Sequence, residues 1–248
     1  MAGEVKIGTT EAPTEPLTAK ENEIFEREFP IITSALSFNV SQKLRLIGAK
    51  PEEILWHGIN DWFQYYKETI RAAVQIAKAS LQPKAGAFQG MDASTGFGWM
   101  ITLPDHLVPT SQGRVWEATP GGTGWRGYIH NGAIGDVYNA NPLYMRKETL
   151  VVVCGHVDYS GVANAQRVQY ELNGKLLPVA NLEYGFQLGS LPISMLGVPV
   201  IFKPAVQYRS RAYFKTTDAQ ALAPLAITFA TADWLRSPDP TQPSTTAP

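Results

Sequence analysis

The segment LVVVCGHVDYSG, residues 150–161, contains the only cysteine of the chain and places three chemically capable side chains at alternating positions. They are Cys154, His156 and Asp158. On a β-strand, side chains two positions apart point to the same face and lie about 6.5–7 Å apart. This spacing admits three interpretations: a shared metal ion, a thiol nucleophile with its base, or a buried strand with polar residues near one end.

The rest of the sequence does not support the two reactive interpretations. Structural zinc usually has four ligands that include closely spaced pairs, whereas the other three histidines each stand alone. A catalytic thiol usually lies at a helix N-terminus or in an exposed turn, but Cys154 follows three valines. We therefore expect a small buried thiol, no catalytic residue, no metal site and no cofactor. A hydrolase or metal-dependent enzyme that uses Cys154, His156 and Asp158 is the least favoured alternative.

Short apolar runs separated by Gly, Pro and Asn predict the strands around this segment. Asn173-Gly174 separates two such runs and supplies the positive φ angles of a type I′ hairpin turn. No helices of ordinary length alternate with the runs, which argues against a doubly wound sheet. We predict a mainly β, α+β chain with an antiparallel, jelly-roll-like β-sandwich. The predicted strands cover 97–103, 113–118, 124–130, 149–157, two runs within 167–180, 198–203, 205–215 and 223–235.

Two helices are predicted before the β domain. Thr18 and Glu21 match a capping box, which predicts a helix over 19–29 that ends at Pro30. The second predicted helix covers 51–82. Pro51 suits its first position, and apolar residues recur every three or four positions as far as Leu81.

The sequence therefore divides into four parts. Residues 1–17 are predicted to form a flexible arm, 18–83 a helical segment, 84–236 the β-sandwich domain and 237–248 a disordered Pro/Thr-rich tail. The amino terminus lacks the basic start and apolar run of a secretion signal. The longest apolar run, 191–202, is too short to cross a bilayer, so we expect no membrane insertion.

Charge is distributed unevenly between these parts. Residues 1–82 contain 20 charged side chains, whereas the 166 residues from 83 to 248 contain 23. A weakly charged surface on a large domain favours extensive contact with other subunits. The net charge of −1 argues against general electrostatic binding of nucleic acid, which we expect to be absent. Arg209 and Arg211, with Tyr208 and Tyr213, are a minor candidate for stacking on a single strand.

These observations favour a structural, self-assembling protein, most typical of the capsid or coat of a virus or phage. Its expected partners are copies of itself in a large homo-oligomer and other virion proteins, with assembly in the host cytoplasm. Trp62, Tyr65 and Tyr66 on the second predicted helix are the candidate subunit contacts.

A carbohydrate- or receptor-binding β-sandwich is the alternative from another functional class. Exposed aromatic side chains would form its binding platform. The candidates are Trp99, Trp116, Trp125, Tyr128 and Tyr138.

Overall fold

The computed structural model describes residues 15–46, 63–81, 86–107, 117–118, 124–127, 143–158, 165–182, 193–216 and 220–236. Four helices lie within these ranges: α1 (Ala19–Leu46), α2 (Lys67–Ser80), α3 (Pro104–Leu107) and α4 (Ala232–Arg236). Most of the predicted arm and all of the predicted tail, 1–14 and 237–248, lie outside the described residues. The end of the arm is described: Leu17 is buried, and the Pro16 carbonyl accepts a hydrogen bond from Lys78 Nζ.

Twelve strands are present in the described ranges, and they form two sheets. The chain is therefore α+β, with a long N-terminal helix and two β-sheets. The strands are β1 (Phe88–Gly90), β2 (Phe97–Ile101), β3 (Glu117–Ala118), β4 (Gly124–Gly127), β5 (Leu143–Tyr144), β6 (Thr149–Asp158), β7 (Ala165–Leu172), β8 (Lys175–Leu176), β9 (Ala180–Asn181), β10 (Ile193–Phe202), β11 (Gln207–Phe214) and β12 (Gln220–Thr231).

The first sheet is mixed and has the order β1-β2-β12-β6-β10, with β3 paired to one end of β12. Only its β1–β2 pair is parallel among the described pairings. The second sheet is antiparallel and has the order β4-β11-β7-β8, with β5 beside β11 and β9 beside β7. β6 and β12 are therefore central in the first sheet, and β11 and β7 are central in the second.

Two apolar cores connect these elements. The helix-side core joins α1 and α2 to one face of the first sheet, through residues such as Phe25, Ile70 and Val152. The intersheet core joins side chains of β6, β10 and β12 to side chains of β7 and β11, among them Val153 and Tyr208. The first sheet is thus covered by helices on one face and by residues of the second sheet on the other.

Helix α1 does not end at Pro30, so that prediction was wrong. The helix continues to Leu46 with Pro30 on its exposed side. A proline inside a helix removes one backbone hydrogen bond and costs about 3 kcal/mol. Here the buried stripe continues through Phe29, Ile32 and Leu36, and its packing against the sheet offsets that cost.

Helix α2 lies within the predicted second helix. Its predicted apolar stripe is confirmed at Ile70, Ala73, Ala77 and Leu81, all of which are buried. The helix begins after Tyr66, whose φ of −89° and ψ of 2° interrupt the helical backbone. Residues 51–62 of the predicted helix lie outside the described residues.

The strand predictions are confirmed wherever their residues are described, apart from some ends. Asn173 and Gly174 have φ angles of 48° and 77°, as the predicted hairpin turn requires. β11 alternates between buried and half-buried residues along its whole length. The last predicted strand, however, ends at Thr231, and α4 occupies the following residues.

Two buried glutamates of α1 hold the edge of the first sheet. Thr18 N donates to Glu21 Oε2 at 2.8 Å, and Glu21 N donates to Thr18 Oγ1 at 3.3 Å, which confirms the capping box. The other carboxylate oxygen of Glu21 accepts the backbone N–H of Phe88, the first residue of β1, at 3.0 Å. About two turns further along α1, Glu28 Oε2 accepts hydrogen bonds from Met91 N at 3.0 Å and from Trp99 Nε1 at 2.9 Å.

The backbone of this edge is shaped to receive the two carboxylates. Gly90 has a φ of 82°, and a Cβ atom at this position would overlap the Glu28 carboxyl group. Glycine is the residue that both adopts this φ readily and leaves the space free. The α1–β1 contact therefore depends on Glu28 and Gly90 together.

Ion pairing keeps Glu21 ionised in spite of its burial. Burial by itself would raise the pKa of this carboxyl group. The hydrogen bond from Lys78 Nζ at 2.8 Å, with those from Thr18 and the Phe88 backbone, outweighs burial and lowers the pKa to about 2. Glu21 therefore links α1, α2 and β1 through a single charged group.

We expect the Glu21→Gln substitution to lower the free energy of unfolding at pH 7 by about 1–3 kcal/mol, because charge-assisted hydrogen bonds are lost. The folded-state pKa of Glu21 lies below its ordinary value of 4.5. Its stabilising contribution is therefore complete above that value and disappears as the pH falls toward 2. Urea unfolding at several pH values should show wild type and variant converging in acid.

Glu23→Gln is the matched control, since Glu23 is an exposed residue of the same helix. Its effect should stay within about 0.5 kcal/mol. A stability difference for Glu21→Gln that is the same at pH 7 and in acid would contradict this account of the ionised carboxylate.

Candidate functional site

The segment that contains Cys154, His156 and Asp158 forms the second half of β6. The exposed fractions of the three residues are 0%, 1% and 2%, respectively. β6 lies between β12 and β10, and all ten of its residues are buried. The prediction that Cys154 is a small buried thiol is confirmed.

The ladders on both sides of β6 are interrupted at Cys154. On the β12 side, Gly155 pairs with Leu225 and Val153 pairs with Ala226, so the ladder skips Cys154. Such an extra residue is a β-bulge, which shifts the alternation of side chains between the two faces of the sheet.

The surroundings of the side chains show this change of face. Cys154 belongs to the helix-side core, and Val157, three positions later, belongs to the same core. His156 instead lies against Tyr170 of β7, with the rings stacked and their centroids 5.8 Å apart. The expectation that all three residues of the segment share one face is therefore wrong, because the bulge separates Cys154 from His156.

Burial also sets the ionisation of these groups. It raises the pKa of the Cys154 thiol to about 12 and lowers the pKa of His156 to about 3. At neutral pH the thiol is therefore protonated and the imidazole is uncharged, with His156 Nε2 3.4 Å from Tyr170 Oη. A nucleophilic cysteine requires a lowered pKa, the opposite of this shift. In the part of the chain that the structure describes, no three His, Cys, Asp or Glu side chains are grouped to hold a metal ion.

The other described histidine, His106, connects α3 to the first sheet. Its Nδ1 lies 2.8 Å from Thr228 Oγ1 on β12 and 3.2 Å from the donor Leu103 N. Its ring packs edge-on against Trp234, with centroids 4.8 Å apart. Burial, and then the charge of Arg146, lower the pKa of His106 to about 4. These contacts give His106 a packing role.

The predicted subunit contacts have different positions. Trp62 lies outside the described residues. Tyr66 has an exposed fraction of only 3% and donates its hydroxyl to the backbone carbonyl of Leu196. Burial, and then the neighbouring Cys154, raise the pKa of Tyr66. Tyr65, by contrast, is 79% exposed.

The acceptor of the Tyr66 hydroxyl lies where β10 departs from β6. Met195 pairs with Gly155 and Val200 with Val153, so residues 196–199 form an extra length of chain opposite the β6 bulge. Within this length, Val198 is 76% exposed. Tyr65 thus directly precedes Tyr66, the donor of this buried hydrogen bond, and Val198 lies two residues after its acceptor, Leu196.

A second surface candidate lies on the second sheet. Trp125 of β4, Tyr213 of β11 and Arg167 of β7 are direct neighbours across three strands. The rings of Trp125 and Tyr213 are 5.6 Å apart at an angle of 80°. The Arg211 guanidinium lies 4.4 Å from the centre of the Trp125 ring, and that of Arg167 lies 5.8 Å from the centre of the Tyr213 ring.

Polar contacts extend this surface along β11 and β7. Arg211 Nε donates to Gln169 Oε1 at 2.9 Å. Arg209 Nη1 lies 3.9 Å from Glu171 Oε1. Among the residues that the structure describes on this surface, three are arginines, Arg167, Arg209 and Arg211, and one is a carboxylate, Glu171. We call Trp125, Tyr213, Arg167, Arg209 and Arg211 the arginine–aromatic face.

Sequence reasoning identified only part of this face. Tyr208 was paired with the two β11 arginines, but it is buried and donates its hydroxyl to the Leu107 carbonyl. Trp99 was a candidate for an exposed platform, but it is buried against Glu28. Trp116, Tyr128 and Tyr138 lie outside the described residues. Arg167 was missed, although its alternation with Val168 and Tyr170 already placed it on the polar side of a strand.

A scan against models of protein families found no match, and searches of curated proteins and of solved structures also found none. Among the described helices, none has both the length and the apolar character needed to cross a membrane.

We expect Cys154→Ser to lower the free energy of unfolding by about 1–3 kcal/mol, because it places a hydroxyl in an apolar core. In the wild type, the thiol should react with a disulfide reagent only after unfolding, since it is buried and protonated. Thiol titration of native and denatured protein, with urea unfolding of the variant, measures both effects.

Two results would contradict this account of Cys154, and the first comes from metal analysis of the purified protein. Stoichiometric zinc that disappears in Cys154→Ser would show that this thiol is a ligand. Rapid reaction of the native thiol at neutral pH would show that it is accessible and activated.

Proposed function

We propose that this protein is a structural, self-assembling component of a virion, the capsid or coat subunit of a virus or phage. In this proposal it has no catalytic activity and no cofactor. Its partners are further copies of itself in a large homo-oligomer and other virion proteins. It assembles in the host cytoplasm and does not insert into membranes.

The order of eight strands carries this proposal. In chain order they are β2, β4, β6, β7, β8, β10, β11 and β12. The first pairs with the eighth, the second with the seventh, the third with the sixth and the fourth with the fifth. Pairing of this kind corresponds to one long antiparallel ribbon that folds over on itself. The sheet orders 1-8-3-6 and 2-7-4-5 follow from it.

We infer from this order that the β domain is a jelly-roll sandwich, a double sheet of eight strands with Greek-key connections. The intersheet core supports a face-to-face arrangement, because Val153, Phe202 and Ala226 of the first sheet share it with Val168 and Phe214 of the second. Jelly rolls form the subunits of virus shells and also occur in lectins and cupins. The fold alone does not distinguish between these functional classes, so the choice depends on the surface of the domain.

Two surface features favour self-assembly. Charged side chains are sparse from residue 83 onward, as they are in domains whose surface is largely covered by neighbours. Tyr65 and Val198 are highly exposed, and the buried Tyr66–Leu196 hydrogen bond holds their backbone in place. Apolar side chains on a well-held backbone can be buried by a neighbour with little loss of conformational freedom. We propose that this pair, together with Trp62, contributes to a subunit contact.

A binding module is the second candidate function. The exposed part of the arginine–aromatic face favours it, because aromatic rings on a rigid sheet present flat apolar surfaces to a ligand. A carbohydrate or a receptor could use this face in the absence of any assembly. An enzyme that uses Cys154, His156 and Asp158 is not favoured, since the bulge separates the thiol from the imidazole.

The Tyr65→Glu substitution tests the assembly proposal. Because Tyr65 is exposed in the single subunit, the variant should keep the wild-type melting temperature. It should weaken assembly, since truncation of a large aromatic at a subunit contact often costs about 2 kcal/mol or more. Light scattering over a range of protein concentrations, beside thermal melting, measures the two effects separately.

Two control variants separate the loss of the aromatic side chain from the effect of an added charge. Tyr65→Phe keeps the aromatic area and should assemble like wild type. Leu176→Glu places the same charge at another exposed apolar residue, in the β7–β8 hairpin. It should show whether any added charge disturbs assembly. If wild type forms one small oligomer at all concentrations, or if Tyr65→Glu changes neither assembly nor melting, the proposed contact is wrong.

A further inference from the structure

We propose that the arginine–aromatic face binds single-stranded nucleic acid. This inference goes beyond self-assembly, and it departs from the expectation that the net charge of −1 suggests. Net charge is a sum over the whole chain, whereas binding depends on the charges that surround the ligand. The face concentrates positive charge that other parts of the chain balance.

Positive charge is one feature of this face that favours a nucleic acid. Arg167 is exposed, and Arg209 and Arg211 are partly exposed, on adjacent strands of one sheet. Among the described residues, the acidic side chain beside them is Glu171, which lies 3.9 Å from Arg209 Nη1. A cluster of guanidinium groups favours an anion, and the planar fork of arginine matches the oxygens of a phosphate group.

The aromatic rings of this face provide stacking surfaces for unpaired bases. Trp125 and Tyr213 are partly exposed, and each has a guanidinium over its ring. Unpaired bases stack on aromatic rings and on arginine planes, and β-sheet faces with such residues are a recurrent platform for single strands. A duplex conceals the faces of its bases, so this surface discriminates against it.

The spacing of the outward-pointing side chains on β11 also fits a single strand. Arg209, Arg211 and Tyr213 alternate along β11, and residues two apart on a strand are separated by about 6.5–7 Å. This is about twice the 3.4 Å rise per nucleotide of a stacked strand. An extended single strand, with its bases unstacked, can therefore run along β11 with roughly one nucleotide for each outward-pointing residue.

The combination of features selects this ligand from two competitors. A neutral sugar would use the rings but would leave three cations without a charged partner on the ligand. An acidic protein segment, such as the arm of a neighbouring subunit, would use the cations but would not need the rings. A polynucleotide uses both, because each unit supplies one phosphate and one flat base.

The test uses the full chain and a fluorescently labelled oligothymidylate of about 12 nucleotides, within the site size of single-strand binding domains. Fluorescence anisotropy measures affinity between about 50 and 200 mM salt. Three phosphate contacts predict a slope of log affinity against log salt of about −2. The same sequence in a duplex should bind more weakly.

Two variants separate charge from stacking. Arg167→Gln should weaken binding and reduce the salt slope by about 0.7, because one phosphate contact is lost. Trp125→Leu should lower affinity about 5-fold to 100-fold with little change in slope, since it removes a stacking surface. Lys20→Gln, at an exposed lysine of α1, is the matched control and should change neither.

Several results would overturn the proposal. These are no binding at the lowest salt, equal affinity for single strand and duplex, or wild-type affinity in Trp125→Leu. Displacement of the oligonucleotide by a peptide of residues 1–17 would assign the face to a neighbour's arm instead. Arg167 is exposed, so Arg167→Gln tests the face even if Trp125→Leu fails to fold. Light scattering on the same samples keeps a failure of binding distinct from a failure of assembly.

Discussion

The burial of β6 on both faces is the constraint on which the rest of the structure depends. Helices cover one face of this strand, and side chains of the second sheet cover the other. A strand in this position is mostly apolar on both sides, which explains why Leu150 and three successive valines stand in its first half instead of an alternating pattern. Two of its polar residues are buried in uncharged form, Cys154 as a protonated thiol and His156 as a neutral imidazole.

The helix layer is held in register with the sheet by charge as well as by apolar packing. The free N–H groups of an edge strand are a hazard, because they can pair with another chain. Here Glu21 and Glu28 accept N–H groups at the two ends of the β1 region, and α1 covers that edge. Buried carboxylates are costly unless they are fully hydrogen-bonded. Lys78 and the Trp99 indole supply partners that offset this cost.

The layered arrangement also gives the two proposed surfaces different tasks. The helices occupy one side of the first sheet, and the contact proposed around Tyr65 and Val198 lies where the helix layer meets β10. The arginine–aromatic face lies on the second sheet, whose other side contributes to the intersheet core. In the proposed shell subunit, the first surface would contact neighbouring copies and the second would contact the enclosed nucleic acid. The two proposals are therefore compatible but rest on separate residues.

The sequence by itself determined the features that depend on neighbouring residues. The capping box at Glu21, the hairpin turn at Asn173 and the burial of Cys154 after three valines all follow from local backbone preference and local polarity. Only the tertiary structure decided that α1 continues past Pro30. The packing of Phe29, Ile32 and Leu36 in the helix-side core offsets the backbone hydrogen bond that the proline removes. It also decided the bulge in β6 and the position of Arg167 beside Tyr213. Pairing between strands sets these contacts, and a pattern along one strand does not contain the register of its partner.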